Sequence, residues 1–174
     1  MHARTGVAAA LERLASEEPP QSRGRSRGGD WETSAAFVDP ERNDIETLVE
    51  DVADILDMTD AELVASLVLL ERALWNATLW AAPASRLGCL FIASAFLAVK
   101  VWNDEQPSAR AVAKALAAFG YAHLTPRRLA EMERLVLQAV HYRVEIDAAQ
   151  LAVYAAAAAE EGRRRAQTPR GEEG

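Results

Sequence analysis

Residues that commonly carry out chemistry are few in this sequence and lie far apart. Its three histidines are His2, His123 and His141, and none is spaced from another histidine or from carboxylates as a metal-binding helix requires. No glycine-rich loop of the kind that holds phosphate groups is present. We therefore predict no catalytic residue, no metal site and no cofactor, and interpret the protein as a non-enzyme.

Cysteine content and charge exclude further classes of protein. The one cysteine, Cys89, rules out an internal disulfide and a zinc site built from several cysteines. Because Cys89 lies in an apolar stretch, we predict a buried thiol. The formal net charge of -7 argues against nucleic-acid binding, which needs a basic stripe to displace phosphate counterions. The arginine-rich stretches around Arg25 and at Arg163 to Arg165 are interpreted as solvated tails.

The length of 174 residues suits one domain with a single hydrophobic core. Residues 1–38, rich in Ser, Arg, Gly and Pro, and the polar residues 162–174 are predicted to be disordered, because they bury too little apolar surface. Residues 39–161 are predicted to be all-α, since alanine and leucine outnumber the β-branched residues. No secretory signal is visible at the start, so we predict an intracellular protein of the cytoplasm or nucleus.

Six helices are predicted within this domain from hydrophobic periodicity and from capping residues. The second is opened by a capping box from Thr59 to Glu62, the fourth stops at Gly120, and the fifth starts at Thr125 with proline in its first turn. The predicted helices are a first one after Asp39-Pro40 that contains Ile45 to Leu56, then 60–76, 87–99, 108–119, one from Thr125 towards Tyr142, and 147–161.

The third predicted helix is apolar on every side. From Leu87 to Val99 only Ser94 is distinctly polar, which is typical of a membrane span or of the central helix of a bundle. Arg86 and Lys100 enclose 13 residues. A bilayer needs about 20 residues, so the sequence favours a central helix and no membrane span.

Three segments, taken together, resemble the cyclin box. The first resembles the third helix of the box, a long apolar helix that ends in Ala-x-Lys and is followed by acidic residues. It reads Leu90-Phe91-Ile92-Ala93-Ser94-Ala95-Phe96-Leu97-Ala98-Val99-Lys100-Val101-Trp102-Asn103-Asp104. The Lys-Val-Trp-x-Asp form is similar to the cyclin-Y and phosphate-pathway branch of the family.

The other two segments follow in the order and spacing of the same family. Residues 67–74, Leu-Val-Leu-Leu-Glu-Arg-Ala-Leu, resemble its second helix, in which an acidic residue and an arginine precede a bulky pair. Residues 132–144, Met-Glu-Arg-Leu-Val-Leu-Gln-Ala-Val-His-Tyr-Arg-Val, resemble its fifth helix with its aromatic close. The resemblance covers residues 45–157 and implies a five-helix cyclin box around the central helix, with one extra C-terminal helix.

This resemblance also implies a function and a site. In cyclins, a lysine that ends the third helix and a glutamate of the fifth form a polar pair at the kinase interface, and the matching residues are Lys100 and Glu133. The chain is thus expected to bind and activate a cyclin-dependent protein kinase, of the PCTAIRE or phosphate-pathway type, by docking on its αC helix. The cell cycle is one expected setting. The apolar part of the surface would comprise Leu97, Val101, Leu137 and Tyr142.

Departures from the family pattern leave alternatives open. The usual Ala-Ser-Lys is Ala98-Val99-Lys100, and Gln106 to Arg110 replace the aromatic segment that follows in the cyclin-Y branch, which bears on partner choice. The first helix lacks the Met-Arg-x-x-Leu pattern that recruits substrates. A cyclin-fold scaffold or transcription adaptor without a kinase, or a helical dimer that uses the same face, are the alternatives. Lys100 and Glu133 can also be ordinary surface charges, placed by the helix dipole and by solvation.

Overall fold

The computed structural model describes residues 2–16, 45–75, 87–104 and 106–167. Within these ranges the chain is all-helical and has no β-strand, so the prediction of an all-α fold is confirmed. The helices, in chain order, are α1 (His2–Ser16), α2 (Ile45–Ile55), α3 (Asp60–Leu74), α4 (Leu87–Trp102), α5 (Ala109–Ala118), α6 (Pro126–Ala139) and α7 (Ala148–Gln167).

Helix α4 lies at the centre of the molecule. Every residue from Cys89 to Val99 is buried, including the predicted buried thiol and the hydroxyl-bearing Ser94. Helices α2, α3 and α6 pack around it, which explains why this helix is apolar on all sides. None of the helices in the described ranges combines the length and apolar character needed to cross a bilayer.

Side-chain contacts give the directions of the helices around α4. Asn103, just after α4, donates to Glu62 in the first turn of α3 at 2.7 Å, so α3 and α4 are antiparallel. Arg72, near the end of α3, donates to the carbonyl of Arg143, just after α6, at 3.1 Å. The ends of α3 and α6 therefore meet, and α6 also runs antiparallel to α4.

The helix starts that the sequence predicts are confirmed by their capping geometry. Thr59 and Glu62 form the reciprocal capping box at the start of α3. Ser108 and Thr125 accept a backbone N–H through their side-chain oxygens at the starts of α5 and α6. Gly120, after α5, has a φ of +96°, which suits glycine. Local sequence thus determines where these helices begin and end.

The prediction that residues 1–38 are disordered is wrong for residues 2–16, which form α1. Val7, Ala8 and Leu11 are buried, because α1 packs against α2, α3 and α7. Met1 and residues 17–38 of that segment lie outside the described residues. Helix α1 is short and only weakly amphipathic. A helix of this kind gains its stability mainly from tertiary packing.

The prediction that residues 162–174 are disordered is also wrong in part. Helix α7 continues through Gly162, which is buried, to Gln167, while residues 168–174 lie outside the described ones. The domain consequently extends beyond the predicted range of 39–161. Helices α1 and α7 pack along each other, and the side chains of Arg165 and Glu12 form an ion pair across them. The contacts between α1 and α7 thus help to order both helices.

Candidate functional site

The two charged residues that the resemblance pairs are in contact. Lys100, in the last turn of α4, places its Nζ 2.5 Å from Oε1 of Glu133 in α6, although the residues are 33 apart in sequence. The lysine side chain is 28% exposed and the glutamate side chain 14% exposed. The antiparallel packing of α4 against α6 brings the pair together at the edge of the core, where solvent and a partner can still reach the lysine.

Two further features hold Lys100 in place at the end of α4. Its Nζ lies 5.1 Å from the centroid of the Phe96 ring, within the range of a cation–π interaction. It also lies in the last turn of α4, where the helix dipole favours a positive charge. Because the pair is partly covered, removing one partner would leave the other charge incompletely solvated. This cost exceeds that of breaking an exposed surface pair.

The apolar residues predicted around the pair do not all reach the surface. Val101 is 41% exposed, Tyr142 is 64% exposed, and Leu137 is half-buried and packs against the core. Leu97 is only 3% exposed, so its prediction as a surface residue is wrong. The helices around α4 enclose every residue from Cys89 to Val99, and towards the C-terminal end of α4 exposure begins at Lys100.

We call the surface formed by Lys100, Val101, Glu133, Leu137 and Tyr142 the α4–α6 surface. It has a charged pair at one end of the seam between the two helices and an exposed aromatic side chain beyond the C-terminal end of α6. Four of its residues belong to helices fixed by the buried core, and Tyr142 lies in the turn that follows α6. A surface of this composition suits contact with a protein, because it combines exposed apolar and aromatic groups with a small number of charges.

The segment that carries Tyr142 has an uncommon backbone conformation. His141 and Tyr142 have φ values of +53° and +59°, in the left-handed region that few residues other than glycine adopt. The N–H of Tyr142 donates to the carbonyl of Leu137 at 2.8 Å, and that of His141 to the carbonyl of Gln138 at 3.0 Å. This is the Schellman closure of α6, with histidine where glycine is usual. This helix end is not visible in the sequence, because the glycine that usually marks such an end is not there.

Arg72 holds the chain just beyond Tyr142. Its Nη1 donates to the carbonyls of Arg143 at 3.1 Å and Glu145 at 2.8 Å, and its Nη2 donates to Oε1 of Gln150 in α7 at 2.5 Å. One guanidinium thereby joins α3 to the α6–α7 connection and to α7. Arg72 lies in the segment 67–74 that resembles a cyclin box, but no local pattern in the sequence indicates these contacts with distant residues.

Glu71, next to Arg72 in α3, contacts α1 and α7. Its Oε2 accepts a hydrogen bond from the hydroxyl of Tyr154 at 2.5 Å, and its Oε1 lies 3.7 Å from Nη2 of Arg13 in α1. Burial of the phenol, reinforced by its hydrogen bond to the carboxylate of Glu71, raises the pKa of Tyr154 to about 12. The position of this glutamate between α1, α3 and α7 indicates a structural role.

Glu62 fixes the end of α4 next to the α4–α6 surface. It is buried, and its carboxylate accepts hydrogen bonds from the Thr59 backbone N–H and from the side chain of Asn103, each at 2.7 Å. The sequence predicts its capping role, whereas the contact with Asn103 exists only in the folded chain. The last turn of α4, which carries Lys100, is thus anchored to the start of α3.

A depression with a volume of 820 Å³ lies between α1, α3 and α7. Arg13, Glu71, Glu12 and Arg165 are among its lining residues, and they pair as Arg13 with Glu71 and Arg165 with Glu12. These ion pairs connect α1 to α3 and α1 to α7, which indicates a structural role for the four residues. Over the part of the chain that the structure describes, no group of three His, Cys, Asp or Glu side chains is arranged to hold a metal ion.

The histidines are separated in the fold as well as in the sequence. His123 is half-buried between α5 and α6, and burial, together with the nearby charge of Arg128, lowers its pKa. His141 is exposed in the turn after α6, and the side chain of His2 lies outside the described residues. Neither described histidine belongs to the α4–α6 surface.

Comparisons with known proteins find no relative of this chain. No protein-family model matches it, and searches of curated proteins and of solved structures return no similar protein. The likeness to a cyclin box therefore stays a prediction from the sequence, and a function has to be argued from the residues and geometry described above.

Proposed function

We propose that this protein is a cyclin-like regulatory subunit that binds a cyclin-dependent protein kinase and activates it by docking on the kinase αC helix. The observation that carries the proposal is the contact between Lys100 and Glu133 at the edge of two packed helices. The sequence resemblance assigns these same two residues, 33 apart, to the polar pair of a kinase interface.

The rest of the α4–α6 surface supports a protein partner. Val101 and Tyr142 expose apolar surface close to the ends of α4 and α6, while Leu137 packs on the core beneath. Buried anchors such as aromatic side chains carry much of the free energy of protein association, and charges give register and selectivity. Tyr142 is the aromatic anchor of this surface, and Lys100 and Glu133 are its charges.

The proposed mechanism needs no catalytic group from this chain. A protein kinase is active when its catalytic lysine pairs with the glutamate of its αC helix and its metal-binding aspartate is in place. A rigid surface that binds the inward position of αC more tightly than the outward one shifts the kinase towards its active state. The shift can be no larger than the difference between the two binding free energies, and about 1.4 kcal/mol changes the population ratio tenfold.

The kinases that we propose as partners are those of the PCTAIRE and phosphate-pathway types, in the cytoplasm or nucleus. The basis is the similarity of Lys100 to Asp104 to the matching segment of that cyclin branch. Residues 106–110, which differ from the branch, come four to eight residues after the end of α4 and lead into α5. We expect them to select among kinases of these types.

The decisive experiment reverses both charges of the pair. In the variant K100E/E133K, the two side chains can still attract each other, so the domain should remain folded. The charges presented to a partner are reversed, so capture of purified PCTAIRE-type or phosphate-pathway-type kinase should be lost. Capture is measured by pull-down, activation by phosphate transfer to histone H1, and folding by circular dichroism.

A matched control is the variant R4D/D54R. Arg4 in α1 and Asp54 in α2 also form an ion pair between two helices, at 2.6 Å, but away from the α4–α6 surface. This variant should capture the kinase as the wild type does. Full capture by K100E/E133K would contradict the assignment of the site. A wild-type chain that captures and activates none of these kinases would contradict the proposed function, and light scattering would then test whether the surface pairs with itself.

A further inference from the structure

The connection between α6 and α7 is held in a conformation that its own residues do not favour. His141 and Tyr142 are consecutive and both have left-handed φ values, which side chains other than glycine adopt at a cost. Both side chains are exposed, so burial of their own apolar surface does not compensate for this cost. The surrounding structure must therefore stabilise the turn.

Part of that stabilisation comes from Arg72 in α3. Its guanidinium bonds to the carbonyls of Arg143 and Glu145, and it is anchored at its other nitrogen by Gln150. The rigid, planar fork of an arginine can reach several acceptors with one fixed geometry, which the single ammonium of a lysine cannot do. The two carbonyls lie one and three residues after Tyr142, so fixing them limits where the tyrosine can be presented.

We infer that Arg72 is a positioning residue for partner binding, which holds Tyr142 ready for contact on the α4–α6 surface. This inference rests on the proposed function, because it assumes that the surface binds a kinase. A contact side chain that is already in its bound position loses less conformational entropy on association, so affinity is higher. Arg72 does not itself belong to the α4–α6 surface and acts through the chain that it fixes.

A purely structural role would give a different result from a positioning role. Arg143 and Glu145 are exposed, so water can replace the arginine at their carbonyls and the domain should stay folded without it. The connection would then be freer to leave its left-handed conformation. We therefore expect Arg72 variants to reduce kinase affinity much more than they reduce overall stability.

The test combines two variants with two measurements. Arg72→Met keeps the apolar stem and removes every donor, and Arg72→Lys keeps the charge without the fork. Affinity for the kinase that the wild type captures is measured by calorimetric titration, and hydrogen exchange reports on the amides of residues 141–146. We expect about tenfold weaker binding and faster exchange for Arg72→Met, and an intermediate effect for Arg72→Lys.

A second substitution shows whether Arg72 acts through the tyrosine. Tyr142→Ala alone should weaken binding, and adding Arg72→Met to it should weaken binding no further, because there is no anchor left to position. Arg163→Met is the control, since Arg163 pairs with Glu160 on the surface of α7, and it should bind like the wild type. Thermal unfolding of each variant measures the change in stability.

The results separate this inference from the proposed function. If the wild type binds a kinase but the losses from Arg72→Met and Tyr142→Ala are additive, the positioning role is wrong and the proposed function stands. Unchanged exchange at residues 141–146 in Arg72→Met would also overturn the positioning role. If the wild type binds no kinase of the proposed types, both proposals are overturned together.

Discussion

The close contact between α1 and α7 leads to a prediction of unusual sign at Gly6. In most helix interiors, alanine is more stable than glycine by about 1 kcal/mol, because glycine loses more backbone entropy on folding. Here a Cβ on residue 6 would lie 1.9 Å from the carbonyl oxygen of Ala158 and 2.5 Å from its carbonyl carbon. Those are backbone atoms, so no side-chain rotation can relieve the clash. Gly6→Ala should therefore destabilise the protein.

The magnitude follows from how far the helices must separate. Real Cβ atoms essentially never approach another heavy atom within 3.0 Å, so the two helices must move apart by about 1 Å. Overpacking of this kind typically costs about 1–3 kcal/mol, and the gain in helix propensity offsets about 1 kcal/mol of it. Because the 1.9 Å approach to a backbone oxygen is a severe overlap, the cost lies at the upper end of that range, and we expect the free energy of unfolding to fall by about 2 kcal/mol. For a chain of this length, that lowers the Tm by roughly 4–8 °C.

Urea denaturation followed by circular dichroism measures this change, and hydrogen exchange locates it. Amides of α1 and α7 should lose protection in Gly6→Ala, while those of the central α4 should keep it. Gly120→Ala is the control, because nothing lies within 4 Å of its new Cβ and its cost arises from the φ of +96° alone. Protection of α1 should not change in that variant. A higher Tm for Gly6→Ala would refute the close packing of the terminal helices.

Three further predictions concern groups in the core and its edge. Ser94→Ala should be neutral or stabilising by about 1 kcal/mol in thermal unfolding, because the buried hydroxyl makes no hydrogen bond with the described residues. A large loss of stability would contradict this. Tyr154 should ionise near pH 12 in a tyrosinate absorbance titration. The stability that it contributes below pH 10 should be lost as the pH rises towards 12. The variant Tyr154→Phe should not show this loss. Lys100→Met should lower the free energy of unfolding more than the double variant K100M/E133Q does, because it leaves the partly covered carboxylate of Glu133 without its partner. Urea denaturation measures both losses. Equal losses would show that the pair is not coupled.

The organisation of the α4–α6 surface depends on residues far from it. Glu62 anchors the last turn of α4 through Asn103, and Arg72 holds the connection after α6. Both anchors come from α3, which lies beside α4 and does not contribute to the surface itself. This arrangement lets one helix fix both ends of the proposed docking site, so that its parts stay in register when a partner binds.

The sequence predicts the interior of the fold well because its strongest patterns are local. A run that is apolar on every side but too short to cross a bilayer is expected at the centre of a helical domain, and α4 is central. Capping residues at Thr59, Ser108 and Thr125 and the glycine at Gly120 mark helix ends through contacts within one turn. The contact of Lys100 with Glu133 was anticipated from the resemblance to a family, since no local pattern links residues 33 apart.

Sequence by itself determined the all-helical class, the buried centre and most helix boundaries. Only the tertiary structure decided that residues 2–16 and 162–167 are helical, that Leu97 lies inside and that Arg72 donates hydrogen bonds to the connection after Tyr142. The reason is that helix boundaries depend on interactions within a few residues, whereas these features depend on distant contacts. The pairing of Glu12 with Arg165, 153 residues apart, becomes available only once the rest of the chain has folded between them.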